Sequence, residues 1–444
     1  GYTLQIILEK IKKNDKINFE KNLKNNYKKI EKQIKKLKIN EIETFFLISG
    51  SREDLYIKPL EGIFKKYLEK NKKFIVITDN ISTSMALSRN NIQHLNLDKD
   101  IKILSNQLKN SELGKTILEK IDNISKNNCE IMGLKNIKNF MTELILKSYI
   151  TLRLCELLLS NFKPNSVYAG LDGEILENSG LNLSKNMKIL GFSMIPSLTA
   201  PNPIMKEWFH AEKIFVPGKL GFELLKNMGY EEERIELIGH PKYDFLANIS
   251  LDEAKNKLKK VFDFNSTKQV ILIAMSQWND NDEEWMSEYI QFCNSNNYEI
   301  IIKIHPLYIT SNNELSEKKI RRIKKKCVNN KYFITYDFDI YDLISVSDIV
   351  ITDYSNVGIE AILLKKPLLT VNFNQNPWNY LKLEETGAAI EIKKLEELKK
   401  KSQDILEKKL FTNKNLETII ENYNFKNDGK ASDRIFKQLT SRKN

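Results

Sequence analysis

Short, wholly apolar runs recur along the chain, each closed by Gly, Ser, Asp or His and followed by a stretch with helical spacing. Such runs, with no polar alternation, predict strands buried on both faces, and their alternation with helices predicts parallel α/β sheets. Strands are expected at Thr44–Ser49, Lys73–Asp79, Ser166–Ala169, Ser193–Ser197, Lys213–Val216 and Arg234–Ile238. After a polar, charged connection, Lys242–Thr267, the pattern restarts with Gln269–Ser276, Glu299–His305, Tyr332–Tyr336, Ile349–Thr352 and Pro367–Asn372. Between the strands, Tyr56–Leu68, Met141–Leu159, Gly221–Met228 and Leu395–Leu410 read as helices, with Gly229 as a C′ residue. Ahead of them, Tyr27, Ile30, Ile34 and Leu37 recur at helical spacing among lysines. The predicted organisation is a basic helical arm (1–40), a Rossmann-like acceptor domain (41–245), a Rossmann-like nucleotide-donor domain (262–425) and a C-terminal tail (426–444). Two doubly wound sheets facing across a cleft is the expected architecture.

Length and composition fit this picture. A chain of 444 residues, 41% apolar, can build two cores. No run of eighteen apolar residues exists, so no membrane-spanning helix is expected, and Leu4–Leu8 is too short for a signal peptide. Gly1 in place of Met suggests a piece of a longer protein. Cys129, Cys155, Cys293 and Cys327 are scattered and form no CxxC, the pattern of reduced thiols in a cytoplasmic protein. Four histidines without HxxxH or HxxE spacing make a built-in zinc site an unexpected feature. The net charge of +12 is unevenly placed: residues 1–38 hold twelve lysines against four acidic side chains, and Lys319–Lys326 is a second basic cluster. A solvated surface explains this, as does peripheral contact with an anionic membrane at the inner face of the cell membrane. Nucleic acid is not an expected partner, because no zinc-finger or RNP-like pattern is present.

Candidate chemistry lies at the ends of the predicted strands, where open parallel sheets bind ligands. Ile349–Thr352 runs into Asp353, Tyr354, Ser355 and Asn356 and then a helix start containing Glu360. Ser355 and Asn356 are expected as N-caps, as phosphate ligands, or as both. Glu360 either accepts hydrogen bonds from ribose hydroxyls or faces water, and Asp353 either contacts the donor or only shapes the turn. His305, held at a strand exit by Pro306, could donate to a phosphate oxygen of a departing nucleotide. Ser276 and Gln277 border the same pocket, and His240-Pro241 reads equally as hinge or ligand contact. In the first half, Asp172-Gly173-Glu174 offers a carboxylate that could deprotonate an acceptor hydroxyl, with Gly173 allowing close approach. Ser51 and Arg52, after the first strand, could meet an anionic acceptor. No Ser-His-Asp order, P-loop or GxGxxG competes.

Residues 210–375 resemble the GT-B transferases that build bacterial surface polymers, above all the CDP-glycerol glycerophosphotransferases of teichoic-acid and capsule synthesis. The similar pieces are Phe215-Val216-Pro217-Gly218, Arg234–Asp244, Lys303-Ile304-His305-Pro306 and Thr352-Asp353-Tyr354-Ser355, followed by Leu364-Lys365-Lys366-Pro367. The resemblance implies that His305 and Ser355 handle the donor's pyrophosphate. Asp172-Gly173 with His305-Pro306 is similar to the pairing in bacterial GT-B sialyl- and Kdo-transferases. Asn356 stands where the teichoic-acid enzymes usually carry a second Ser, and Ile359-Glu360-Ala361 replaces an aromatic-acidic pair. Gly358-Ile359-Glu360-Ala361 looks more like UDP-GlcNAc 2-epimerases, whose glutamate holds the ribose. The expected activity is transfer of a glycosyl or glycerophosphate group from a CDP-, CMP- or UDP-linked donor to a cell-surface glycan or lipid-linked acceptor. No permanently bound cofactor or metal is expected. The alternatives are a UDP-GlcNAc 2-epimerase-like enzyme and a non-catalytic GT-B-like scaffold.

Overall fold

Two parallel sheets organise the described residues, each built from strands whose side chains are buried on both faces. The chain is represented by a computed structural model. It describes residues 28–33, 41–50, 53–132, 137–170, 173–195, 209–262, 267–276, 282–305, 314–326, 331–335, 338–374, 381, 383–408 and 416–441. The first sheet holds β1 (Thr44–Ile48), β2 (Phe74–Thr78), β3 (His94–Asn96), β4 (Ser166–Ala169), β5 (Leu190–Met194), β6 (Lys213–Val216) and β7 (Ile235–Leu237) in the order β3-β2-β1-β4-β5-β6-β7. The second holds β8 (Val270–Ile273), β9 (Glu299–Lys303), β10 (Phe333–Thr335), β11 (Ile349–Thr352), β12 (Leu368–Val371) and β13 (Ile390–Ile392) in the order β10-β9-β8-β11-β12-β13.

Each sheet starts at its centre, winds outwards, then returns to the other side of its first strand. The chain therefore reverses direction between β1 and β4, and again between β8 and β11. These are the topological switch points at which doubly wound sheets open a crevice for ligands. The predicted fold class stands. The edge strands β3 and β13 were not expected from the sequence: each has three residues and is only partly buried, so neither presents an apolar run.

The first core shows why these elements form. Helix Lys58–Glu69 starts with Pro59 in its first turn and buries Leu60, Ile63, Phe64 and Tyr67, one stripe at helical spacing. That stripe lands on Phe46 of β1, whose ring meets Phe64, Tyr67 and Phe74 edge-on at centroid distances of 5.1, 5.7 and 5.6 Å. Buried hydroxyls thread the same layer. Tyr67 Oη lies 2.6 Å from Thr44 Oγ1, which lies 2.7 Å from Ser166 Oγ, which in turn donates to the Leu439 carbonyl at 3.0 Å.

That last contact revises the domain boundaries. Residues 426–444 are expected as a tail, yet Ala431–Thr440 is a helix whose Ile435 and Leu439 are buried in the first domain's core, with Phe436 edge-on to Tyr67. The polar connection Lys242–Thr267 is likewise more than a linker. Tyr243, Leu246, Ala254 and Leu258 are buried in the second domain's core. Of the basic arm, 28–33 is helical with Ile30 buried against the first domain. Tyr27, Ile34 and Leu37 lie outside the described residues. No helix among the described residues is long and apolar enough to cross a membrane. Leu439→Ala should lower stability by about 2–5 kcal/mol, as expected for a cavity in a packed core. A urea midpoint equal to wild type would show that the C-terminal helix is not part of that core.

Candidate active site

At the second switch point the strand exits are fastened to each other. Ala274 N–H donates to the Ile351 carbonyl at 2.9 Å, and Thr352 Oγ1 donates to the Ala274 carbonyl at 2.5 Å. One residue further on, Asp353 accepts the Ser276 N–H at 2.9 and 3.0 Å on its two oxygens, and the Ser276 hydroxyl at 2.6 Å on Oδ2. Ser276 and Asp353, expected as donor ligands, are thus bonded to one another and hold β8 and β11 at a fixed separation. His305 follows β9, the neighbour of β8, where Ile304 N–H donates to the Thr335 carbonyl at 3.0 Å. The exits of β9, β8 and β11 therefore bring His305, Ser276, Asp353 and Ser355 to one rim. Gln277, Asp172, Ser51 and Arg52 lie outside the described residues.

Ser355 and Asn356 divide the capping differently from expectation. The buried Ser355 Oγ accepts the Val357 N–H at 3.4 Å, while Asn356, at the N-cap of helix Val357–Leu363, is exposed and makes no side-chain cap bond. Glu360 does not face water. It is buried, and its Oε1 accepts from Lys242 Nζ at 2.7 Å and from Tyr341 Oη at 3.1 Å. Burial and the neighbouring Glu360 push the Tyr341 hydroxyl far above its ordinary pKa, so it stays a donor. Glu360 is thus tied through Oε1 to the connector and to helix Ile340–Val346.

His240 is buried within the connector. Its backbone N–H donates to Asn424 Oδ1 at 2.8 Å, and its Nδ1 accepts the Lys242 N–H at 3.1 Å, which leaves Nε2 as the protonated nitrogen. Burial, with Lys242 beside it, lowers its pKa to about 3, so the ring is neutral. Four residues after His240, Asp244 accepts the N–H groups of Ala431 and Ser432 at 2.8 and 2.7 Å. The connector thus grips the start of the C-terminal helix on one side and Glu360 on the other.

On the first sheet, Glu174 is exposed at the N-cap of helix Ile175–Asn186 with no cap bond on its side chain. Among the described residues, a Cβ at the exposed Gly173 would meet nothing within 4 Å. Lys242, Tyr341, Asn424 and Glu177 escaped the sequence reading. Glu177 alone carried a signal: it lies on the apolar stripe of its helix with Gly180 and Leu181. Among the described residues, no group of three or more His, Cys, Asp and Glu side chains is placed to hold a metal. A cavity of about 670 Å³ at the β10 edge, lined by Lys257, Phe262, Thr335, Phe338 and Asp342 among others, includes none of the candidate residues.

The stretch that carries the donor-side rim and the connector also decides the family. Residues 184–441, more than half of the chain, match the CDP-glycerol:poly(glycerophosphate) glycerophosphotransferase family. The chain belongs to that family. A teichoic acid poly(glycerol phosphate) polymerase of Bacillus spizizenii is 28% identical over 181 residues, 37% of this chain and 42% of that protein. A teichoic acid poly(ribitol-phosphate) polymerase of the same organism is 26% identical over 204 residues, 42% of this chain and 30% of that protein. The chain thus matches less than half the length of either relative. Among solved structures, UDP-GlcNAc 2-epimerase from Methanocaldococcus jannaschii superposes with a TM-score of 0.57 at 18% identity, over 89% of this chain and 99% of that one. The wall teichoic acid polymerase TagF gives 0.55 at 13% identity, over 96% of both chains. At these identities the likeness is one of fold, and the fold is GT-B.

Removing one partner of the Lys242–Glu360 pair leaves a buried charge without compensation. Lys242→Met should therefore cost about 3–5 kcal/mol. The double variant Lys242→Met/Glu360→Gln should regain most of the loss in chemical denaturation. Additive losses would show that the two side chains do not interact.

Proposed function

We propose that this chain transfers a polyol-phosphate group, of the glycerol phosphate class, from a CDP-linked donor to a hydroxyl of a glycan or lipid-linked acceptor. The observation that supports this is the donor-side rim, where the adjacent exits of β9, β8 and β11 carry His305, Ser276 and the pair Asp353 and Ser355, all inside the family-matching stretch. The polymerases it resembles are named for glycerol phosphate and ribitol phosphate, which favours phosphorus over an anomeric carbon as the reacting centre.

In this reading the acceptor oxygen attacks the donor phosphorus that bears the polyol. Its proton passes to the carboxylate of Asp172 or Glu174. The bond from that phosphorus to the bridging oxygen breaks, and the electron pair leaves on the nucleoside monophosphate. His305 and the Ser355 hydroxyl would donate to the leaving phosphate as its charge grows, the kind of electrostatic help that contributes most when the donors are already in place. The fixed spacing of the β8 and β11 exits, set by Asp353 and Ser276, supplies that preorganisation. The epimerase alternative is supported by likeness of fold alone, whereas the family match over residues 184–441 favours the transferase. Contact of the basic surface with an anionic membrane remains part of the proposal, since lipid-linked acceptors lie there.

His305→Ala should reduce CMP release from CDP-glycerol by about 10²–10³-fold, the scale set by loss of one oxyanion donor. Melting temperature should stay near wild type, because His305 lies at a strand exit outside the core. Full turnover in that variant would overturn the assignment. Stabilisation by UDP-GlcNAc, with no response to CDP-glycerol or CMP, would overturn the donor class.

A further inference from the structure

The first switch point contains a buried carboxyl that the reaction above does not use. Glu177, on helix Ile175–Asn186, is fully buried beneath the exits of β1 and β4. Its Oε1 accepts the Ser49 N–H at 3.3 Å, one residue past β1, and its Oε2 accepts the Gly173 N–H at 3.5 Å, in the turn after β4. Among the described residues, no cation is recorded against its charge. The long helix Ile137–Phe162, which packs along the same face, directs its Lys147 to Asp79 at 3.0 Å and its Arg153 to Glu156. The titratable groups that reach Glu177 are Glu174, at the N-cap of its helix, whose charge opposes the carboxylate while its backbone favours it, and Tyr168 of β4. Burial is the main reason its pKa is pushed up to about 7.

The surroundings hold these turns from other sides too. The Tyr56 ring occupies the space that any side chain at position 50 would need, and Thr83 Oγ1 donates to the Gly50 carbonyl. The turn after β1 is thus fixed by Tyr56, Thr83 and Glu177. The turn after β4 meets the same carboxyl.

We infer that Glu177 is a positioning residue for the acceptor side, its two oxygens holding the β1 and β4 turns at one separation so that the segment beside Gly173 is presented to the acceptor. This rests on the transferase reading. The bridge needs the ionised form, because a carboxylate has acceptor capacity on both oxygens whereas a protonated acid turns one of them into a donor. Ionisation at a buried site costs stability. The folded-state pKa lies above the unfolded value of about 4.3, so the group's contribution is fully favourable below that value and is lost as pH rises through about 7. A residue that weakens the fold at neutral pH fits a functional demand better than a structural one.

Glu177→Gln tests this with two readouts. The melting temperature of the variant minus that of wild type should grow by roughly 2–6 °C between pH 5 and pH 8. His240 is present in both proteins and cancels in the difference. Transfer from CDP-glycerol should fall about 10–100-fold in kcat; wild type should show a rise in rate through pH 7, and the variant should lose it. Stabilisation by CMP should be unchanged. A pH-independent melting difference, or wild-type turnover with an unaltered pH profile, would overturn the inference. Absence of transfer in wild type with every donor would instead sink the transferase reading, and the melting difference would still decide whether the carboxylate ionises in place.

Discussion

Both sheets open at the same topological place, and at both openings a carboxylate takes backbone N–H groups across the gap. Asp353 does so between β11 and β8, through Ser276. Glu177 does so between the turns that follow β1 and β4. Parallel strands are hydrogen-bonded along their length, but beyond their last residues the chains diverge, and it is there that ligands meet them. Without a tie, each rim would be two independent loops. A carboxylate has two oxygens and about four lone-pair positions, enough to satisfy amides from two segments at once. Ser355 and Glu174 project from the segments these ties fix, and His305 stands on the neighbouring exit, where Ile304 is bonded to Thr335.

The two ties differ in cost. Asp353 receives three hydrogen bonds of 2.6 to 3.0 Å, one of them from a hydroxyl. Glu177 receives two longer ones in a drier place. The rim of the second sheet is therefore rigid by construction, while that of the first is held by a group whose charge depends on pH. Between the rims runs the connector Gly239–Asp244, in which nearly every residue is committed: His240 to Asn424, Lys242 to Glu360, and Asp244 to the C-terminal helix. That helix returns to bury Ile435 and Leu439 in the first core. The chain thus crosses between its domains at the connector and again on the way to this helix, and the two crossings are hydrogen-bonded to each other. Motion of one domain against the other must pass through these bonds.

Much of the architecture was legible because buried parallel strands leave a plain mark: Thr44–Ile48, Phe74–Thr78 and Ile349–Thr352 are apolar throughout and end in turn formers. Their carboxyl ends then point to the rims by a general rule, so His305 and Ser355 could be named without coordinates. Short edge strands lack that mark, which is why His94–Asn96 and Ile390–Ile392 went unseen. The helix Ala431–Thr440 was hidden for another reason. Its apolar stripe is short, and nothing local reveals that it covers a sheet begun almost four hundred residues earlier. Ion pairs across the fold are equally silent, since Lys242 and Glu360 lie 118 positions apart.

Glu360 shows how far a motif can be carried before geometry must decide. Its neighbours Gly358, Ile359 and Ala361 resemble a nucleotide-sugar pattern in which the acid meets a ribose, and the fold neighbours include epimerases. Here the same carboxylate is turned towards Lys242 and Tyr341, one from the connector and one from helix Ile340–Val346. A buried acid with an ammonium at 2.7 Å is electrostatically satisfied. Exchanging that ammonium for a neutral hydroxyl would leave both charges worse placed. The motif therefore marks where a carboxylate sits in this fold, and its partner determines what it does. In this chain the partner is the connector, which makes Glu360 part of the link between the domains.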